Sequence, residues 1–441
     1  MGTLYISTTG NAANSGSTDT DAASLSGTAA TVAGSVVTLD GLPDLSGIIT
    51  SGAAQSSIRL ADATNSNQKI FWITAFDDVA NTVTVSVAPT GIVSSVWRIG
   101  GRFIWLNTDI AAALRAGDKA VINNSPANHS GSAWLTCLAG GSNSAGYIRV
   151  VGATGVRPVI TVTDTNIVLN ANSQILWWFE NLELAQQGAS GNVIGGTLGR
   201  GSVIYNVKVS AGGGAGIAVS QGVVRIIGCE VSGVADGITA ASRVFTYGCY
   251  VHDCSGDGIE FTSAGALFVA VANVVDTCTG RGIFSSGAPT DQSNMSCLIG
   301  NTIYGCGNSG VEITDADMVT VLINSVLQNN GNAAGESNFE YVAGNAAYVG
   351  FHAWNVLYNN SGADAPINFT VNEHVGSSEF TTDPLLVNPA AGDFRLGPGS
   401  PGARLGFPGL LLGGGSSQGY LDMGALQALR APRLVNAGLI G

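Results

Sequence analysis

Short apolar runs rich in β-branched and aromatic side chains recur between residues 200 and 360 at nearly even intervals. Val224-Arg-Ile-Ile and Val244-Phe-Thr-Tyr are typical, and neither carries the 3.6-residue spacing of an amphipathic helix. Five segments align, from Asn206 to Ile217, Cys229 to Ile238, Cys249 to Ile259, Asn273 to Ile283 and Asn301 to Val311, the first with one extra residue and the second with one fewer. Each reads as a short strand, a glycine-rich turn, and a Gly-Ile or Gly-Val step that opens the next strand. With the anchor of the first strand at Val209, Val231, Val251, Val275, Ile303, Val326 and Leu357, the steps are 22, 20, 24, 28, 23 and 31 residues. That period predicts the coils of a parallel β-helix, in which each coil is stable only against its neighbours.

Stacking places equivalent residues about 4.8 Å apart between coils, so the alignment predicts side-chain ladders. Two residues before the anchor stand Cys229, Cys249, Asn273, Asn301, Asn324 and Asn355. Three residues after it stand Cys254, Cys278 and Cys306, continued by Asn329 and Asn360. Amides stacked in this way hydrogen-bond along the axis and hold sharp turns, which is a structural role.

The pattern weakens upstream but continues through Tyr147-Ile-Arg-Val-Val, Val159-Ile-Thr-Val, Ile167-Val-Leu and Ile175-Leu-Trp-Trp-Phe. Before it, Asn107 to Gly117 reads as a short helix with a polar N-cap and a glycine stop, placed to cap the solenoid. Residues 28–100 follow a different rule. Val36-Val-Thr-Leu, Ser57-Ile-Arg-Leu, Ile70 to Phe76, Asn81 to Val87 and Ser95 to Ile99 alternate as strands between turn signals such as Asp40-Gly41 and Asp77-Asp78. The expected fold is all-β: a parallel β-helix with a small antiparallel β-domain inserted near the N-terminus. Its expected parts are an N-terminal strand and linker (1–27), the inserted domain (28–100), a capping helix region (101–117), the β-helix (118–380) and a closing segment (381–441).

Composition narrows the function. Charged residues are only 11% of 441, glycine numbers 62, and the formal charge is −13 with Lys69, Lys119 and Lys208 the only lysines. A polyanion is repelled by such a surface, so no nucleic-acid partner is expected. No apolar run approaches the roughly 18 residues of a membrane-spanning helix, so no membrane partner is expected either. The opening Met1-Gly-Thr-Leu-Tyr-Ile-Ser lacks the basic and apolar regions of a secretory signal. Seven cysteines without a CxxC pair fit neither a disulfide scaffold nor a zinc module, and no metal or cofactor is expected.

Several motifs resemble the right-handed parallel β-helix repeat family. Leu4-Tyr-Ile-Ser-Thr-Thr-Gly is similar to its usual start, Ala116-Gly-Asp118 to the step into the first coil, and Asp383 to Pro401 with Leu421-Asp-Met-Gly-Ala-Leu426 to its closing motif. Members include polysaccharide lyases, glycoside hydrolases, bacterial surface proteins and phage tailspikes, and the fold alone does not choose among them. The inserted β-domain and the low charge look most like the phage virion members. The resemblance therefore implies a non-enzymatic virion protein, either a capsid decoration or head spike or a tail spike, acting through surface assembly or host-surface binding. Its implied partners are two further copies in a homotrimer, other virion proteins, and a host-surface glycan. Trp177, Trp178 and Phe284 are the apolar side chains expected on the trimer's surface. The alternative is a carbohydrate-active enzyme on the same scaffold: a tailspike depolymerase, glycoside hydrolase or polysaccharide lyase.

Two arrangements carry candidate chemistry for that alternative. Asp236, Asp257 and Arg281 share the position just before the Gly-Ile step, as carboxylates for calcium and a base would in a lyase, but small polar residues and ion pairs are ordinary at turns. Glu260, Phe284 and Glu312 follow the inward-facing Ile259, Ile283 and Val311, so they face outward on one sheet. The two glutamates would lie about 9.6 Å apart by backbone, at the upper end of the roughly 6.5–9.5 Å spacing of inverting glycosidases. With no lysine or histidine in their column and no cleft evident, neither carboxyl is expected to be raised enough for acid catalysis, and no catalytic residue is assigned. The four histidines, His129, His252, His352 and His374, are dispersed, and the thiol of Cys254 beside His252 belongs to the interior column.

Overall fold

Alternation of apolar and polar residues builds the N-terminal barrel. In Val36–Leu39, Val37 and Leu39 are buried while Val36 and Thr38 face solvent. The computed structural model describes residues 3–6, 25–40, 57–62, 68–77, 79–89, 92, 94–99, 114, 116–122, 129–131, 135–137, 140–155, 157–162, 167–188, 191–196, 198–262, 267–286, 295–314, 319–331, 338–341, 350–359, 373–375 and 380–402. In it, the strands Leu25–Ala33, Val36–Leu39, Thr82–Val85, Gln68–Asp77, Ser57–Asp62 and Ser94–Ile99 follow one another around a closed antiparallel barrel. Ile58, Leu60, Phe71, Ile73, Val83, Trp97 and Ile99 fill it. Closure removes the free sheet edges that would otherwise invite aggregation. The expected capping helix over 101–117 falls mostly outside the described residues, within which Leu114 is buried and Ala116 and Gly117 form a turn.

By contact density the chain divides into two units, residues 1–188 with 199–203, and 189–198 with 204–441. The first unit holds the barrel and the opening coils. There Thr3–Ile6 pairs in parallel with Lys119–Ile122, which pairs with Ile148–Gly152, and that strand with Trp177–Glu180. The N-terminal strand is thus an edge strand of the solenoid itself. Trp177 is fully buried and stacks on Phe179 at 5.6 Å, so it offers no surface for a trimer; this corrects the sequence expectation. Inward positions of a parallel strand alternate with outward ones, and Trp177 falls on the inward set.

The second unit is a run of parallel coils with three strands each. In one coil Arg243–Tyr247 lies in a first sheet, Tyr250–His252 in a second and Ile259–Phe261 in a third, and the next coil begins at Leu267. The interior carries Val231, Val251, Val275 and Ile303 in one column and Ile238, Ile259, Ile283 and Val311 in another. A buried Val or Ile side chain contributes roughly 1.5–3 kcal/mol, so the apolar columns are what make stacked coils cohere.

In these coils the corner between the first and second sheets takes two residues, as at 228–229, 248–249, 272–273, 300–301, 324–325 and 354–355. The first of each pair is left-handed, at Gly228 (φ 60°), Gly248 (62°), Ala272 (54°), Gly300 (63°), Asn324 (56°) and Trp354 (55°). The second forms the ladder. Asn273 Oδ1 accepts the Cys249 N–H at 3.0 Å, Asn301 Oδ1 accepts the Asn273 N–H at 3.0 Å, Ser325 Oγ accepts the Asn301 N–H at 3.2 Å, and Asn355 Oδ1 accepts the Ser325 N–H at 2.9 Å. Asn324 is therefore not a rung. Register pairs Ile303 with Leu327, one residue beyond the assumed anchor Val326, which moves Asn324 onto the left-handed corner and puts Ser325 in its place. The same shift replaces Asn329 (φ 59°) by Asn330, whose Oδ1 accepts the Cys306 N–H at 3.0 Å; Asn360 lies outside the described residues.

The thiols stand where expected. Cys254, Cys278 and Cys306 are buried, and each donates weakly to the carbonyl two residues before it, His252, Asp276 and Tyr304. Beyond the coils, Leu386–Asn388 and Asp393–Leu396 form an antiparallel hairpin around Gly392 (φ 73°). Its Phe394 packs against Tyr250 and Tyr304 on the outer face of the second sheet, at 6.3 and 5.7 Å between ring centroids. Residues 403–441, including the second closing motif, lie outside the described residues.

Candidate functional site

The step into the third sheet gathers the charged residues. Two positions flank each buried Ile or Val of this step, and both point outward. The position two residues before it carries Asp236, Asp257, Arg281 and Ser309. The position just after it pairs Thr239, Glu260, Phe284, Glu312 and Glu340 across successive strands. The two rows, read separately in the sequence, therefore merge into a single surface. The spacing of three residues between them along an extended chain was the signal available.

Backbone and side chain cooperate in holding the carboxylates. Asp236 Oδ1 accepts the Asp257 N–H at 2.9 Å, and Asp257 Oδ1 accepts the Arg281 N–H at 2.6 Å. The neighbouring coil leaves room for this only because positions 256 and 280 are glycine: a Cβ on Gly256 would collide with Asp236 Oδ1, and one on Gly280 with Asp257 Oδ1. Arg281 donates from Nε to Glu312 Oε2 at 2.5 Å, reaches Asp257 Oδ2 from Nη1 at 3.4 Å, and lies flat over the Phe284 ring at 3.8 Å. One coil further on, Ser309 Oγ donates to Glu340 Oε2 at 3.0 Å.

These contacts divide the candidate residues. Glu312 is buried and ion-paired with Arg281, so it is not the exposed carboxylate expected across from Glu260. Phe284 is partly exposed and carries the Arg281 guanidinium over its ring. The cause is Arg281, which stands one coil before Glu312 and is long enough to lie across the phenyl ring and reach the glutamate. Glu260 is half-buried and, among the described residues, makes no hydrogen bond. One oxygen each from Asp236, Asp257 and Glu260 lies within 4.8 Å of the others.

Crowding of like charge sets the electrostatics. Burial, then the Asp236 and Asp257 carboxylates, push the Glu260 carboxyl above its ordinary value, with Arg281 opposing them. Asp257 is likewise raised by burial, with its hydrogen bond and charge contact to Arg281 pulling the other way. Burial, which would lower Arg281, is outweighed by Glu312 and Asp257, so the guanidinium is raised and stays charged. Glu260 is thus moved in the direction a general acid needs, by burial and by the turn row standing beside the strand row, two rows that the sequence reading kept apart. Such a cluster can share a proton or take up a hard cation. For Ca2+, which binds roughly 6–8 oxygens, three carboxylates are a suitable start, although Asp236 and Asp257 already spend oxygens on backbone N–H groups.

His252 and Cys254 do not form a site together. His252 faces outward, with Nδ1 2.7 Å from Asp253 Oδ2 and its ring on Tyr250, whereas Cys254 points into the core. The hydrogen bond to Cys278, then burial, raise the Cys254 thiol further from ionisation.

Comparison with known proteins places the coils. Residues 192–362 match the family model described as right handed beta helix region. No curated protein matches the chain. Among solved structures the chain is similar to pectate lyase Pel9A, with 15% identity over 71% of this chain and 89% of that one and a TM-score of 0.44. It is also similar to the catalytic unit of a thermostable GH87 alpha-1,3-glucanase from Streptomyces thermodiastaticus strain HF3-3, with 11% identity over 82% and 86% and a TM-score of 0.35. A third similar structure is the tailspike protein gp49 from Pseudomonas phage LKA1, with 14% identity over 81% and 64% and a TM-score of 0.21. The fold is a right-handed parallel β-helix with a small antiparallel barrel near the N-terminus, as the sequence pattern predicts. The sequence expectation of a non-enzyme is withdrawn: a pectate lyase and an alpha-1,3-glucanase stand among the similar structures, and that likeness shows the fold alone.

Proposed function

We propose that this protein is a carbohydrate-active β-helix that hydrolyses a glycan at the outer face of its third sheet, with Glu260 as general acid. The observation that carries the reading is a half-buried carboxyl on the outer face of the third sheet, raised by burial and by two close carboxylates. A glutamic acid whose carboxyl is raised above its ordinary value is placed to donate its proton to the departing glycosidic oxygen, a role worth roughly 10²–10⁴ in rate. Asp236 is its partner carboxylate, held by the Asp257 N–H. The separation of at most 4.8 Å between oxygens is nearer the roughly 5–5.5 Å of retaining glycosidases than the 6.5–9.5 Å of inverting ones. Arg281, locked between Asp257 and Glu312, fixes the geometry. The virion setting inferred from the motifs belongs to the same proposal: a particle-borne β-helix would bring this face to a host-surface glycan.

The test is incubation with a panel of capsular, lipopolysaccharide and cell-wall glycans, followed by reducing-end analysis. Release of oligosaccharides by the wild type, reduced at least 100-fold in Glu260→Gln and in Asp236→Asn and unaffected by a chelator, is expected. An unsaturated product that depends on calcium would replace hydrolysis by elimination, and no release from any glycan would sink the proposal. Mass spectrometry of purified particles tests the setting.

A further inference from the structure

A second site lies on another face, under the C-terminal hairpin, and does not depend on the catalytic reading. There a cavity of about 440 Å³ is lined by Gln328 at its inner wall and by Asp383, Leu385, Val387, Pro389 and Pro398 around it. That volume falls within the roughly 300–1,000 Å³ of small-molecule sites.

Three observations at this cavity are independent of one another. Gln328 projects outward from the second sheet between Tyr304 and Tyr358, is 92% buried since its exposure is 8%, and leaves its buried Oε1 without a hydrogen-bond partner among the described residues. Buried amides are almost always paired, and an unpaired one is costly. Leu385 adopts φ 52°, a left-handed conformation unfavourable for leucine, and this turns its side chain out at the rim with 42% exposure. Asp383 Oδ1 accepts the Leu385 N–H at 2.8 Å and holds that turn, leaving its carboxylate charge at the cavity. The hairpin therefore spends strain and an unpaired polar atom on keeping a half-apolar hollow.

We propose that this cavity binds a neutral sugar unit. A hydroxyl both donates and accepts, so it pairs with the Gln328 amide in either orientation of that amide. Leu385, Val387 and the two prolines give a sugar ring the apolar walls its C–H face needs. Asp383 and the formal charge of −13 disfavour an anionic saccharide.

Binding is measured by calorimetry and ligand-observed NMR on the full chain, using methyl glycosides of glucose, galactose, mannose, rhamnose and N-acetylglucosamine, with glucuronate as the anionic control. At least one neutral glycoside should bind at millimolar concentration or better, and glucuronate should not. Gln328→Leu, which keeps the volume and removes the amide, should lower that affinity at least tenfold while raising Tm, because the unpaired atom is gone. Asp383→Asn is a second variant that keeps the oxygen holding the turn and removes the charge. It should raise the affinity for glucuronate relative to the wild type, and an unchanged glucuronate affinity would overturn the role given to that charge. Binding of none of the neutral glycosides, equal binding by Gln328→Leu, or a lowered Tm in that variant would overturn the proposal.

Discussion

Asn301 and Asn324 are the same residue type at the same corner of successive coils, yet they do opposite things. Asn301 bridges coils: its Oδ1 takes the Asn273 N–H and its Nδ2 donates to the Ala270 carbonyl at 2.9 Å, all of it buried. Asn324 instead supplies a left-handed backbone at φ 56°. Asn301→Ala should therefore destabilise by about 2–4 kcal/mol, since it leaves two buried backbone groups unpaired at roughly 1–3 kcal/mol each. Asn324→Gly should be near neutral because glycine accepts that conformation freely. Chemical denaturation of both variants checks the contrast. This pair also explains why the ladder columns were legible in spacing but misplaced by one residue at Asn324 and Asn329. Asparagine is favoured both as a stacking amide and at left-handed corners, and Asn324-Ser325 and Asn329-Asn330 put the two roles side by side.

The hairpin of Leu386–Asn388 and Asp393–Leu396 was legible as a closing motif, but its seat was not. Phe394 meets Tyr250 and Tyr304 across a long stretch of chain, and neither tyrosine is marked by the coil pattern. The candidate site was half legible for a related reason. Both rows were visible, but the reach of Arg281 over Phe284 to Glu312 depends on a rotamer and not on spacing. Beneath the hairpin contact lies Asp276, whose Oδ2 accepts the Tyr250 hydroxyl at 3.3 Å. Burial pushes this carboxyl up to about 6, with Asp253 adding and the Tyr250 hydrogen bond and His252 opposing. Glu230 and Lys208 pair on the preceding strands, and on the hairpin Asp393 pairs with Arg395. Because the folded pKa lies above the ordinary carboxyl value, the packed state holds the proton more tightly. Its stability is greatest below about pH 4 and falls as pH rises through about 6. Limited proteolysis of the hairpin should accordingly quicken between about pH 5 and 7, and Asp276→Asn should flatten that dependence. A rate that slows with rising pH would refute the assignment.

Across the chain all seven cysteines are free, and five of them sit in the two interior columns. Seven titratable thiols are expected in unfolded, unreduced protein; fewer than four would mean that column neighbours pair. The coils differ in length at two of their three links. From Trp177 onward the corner from the first to the second sheet holds two residues, whereas the link from the second to the third is 233–237 in one coil and 329–338 in another, and the link from the third back to the first is 241–242, 262–266 and 286–294 in three successive coils. A ten-residue insertion at 288–290 should thus leave Tm almost unchanged, while one residue added between Gly300 and Asn301 should break the ladder and prevent folding, as scanning calorimetry would report.

That asymmetry has an evolutionary meaning. From Trp177 onward, length drift spares the corner between the first and second sheets and falls at the two borders of the third, the sheet that carries Glu260. Descendants of this chain can lengthen the borders of that surface, coil by coil, without disturbing a single rung. The scaffold separates what must stay constant from what is free to diversify, so new surface specificities can arise by insertion long before any core position has to change.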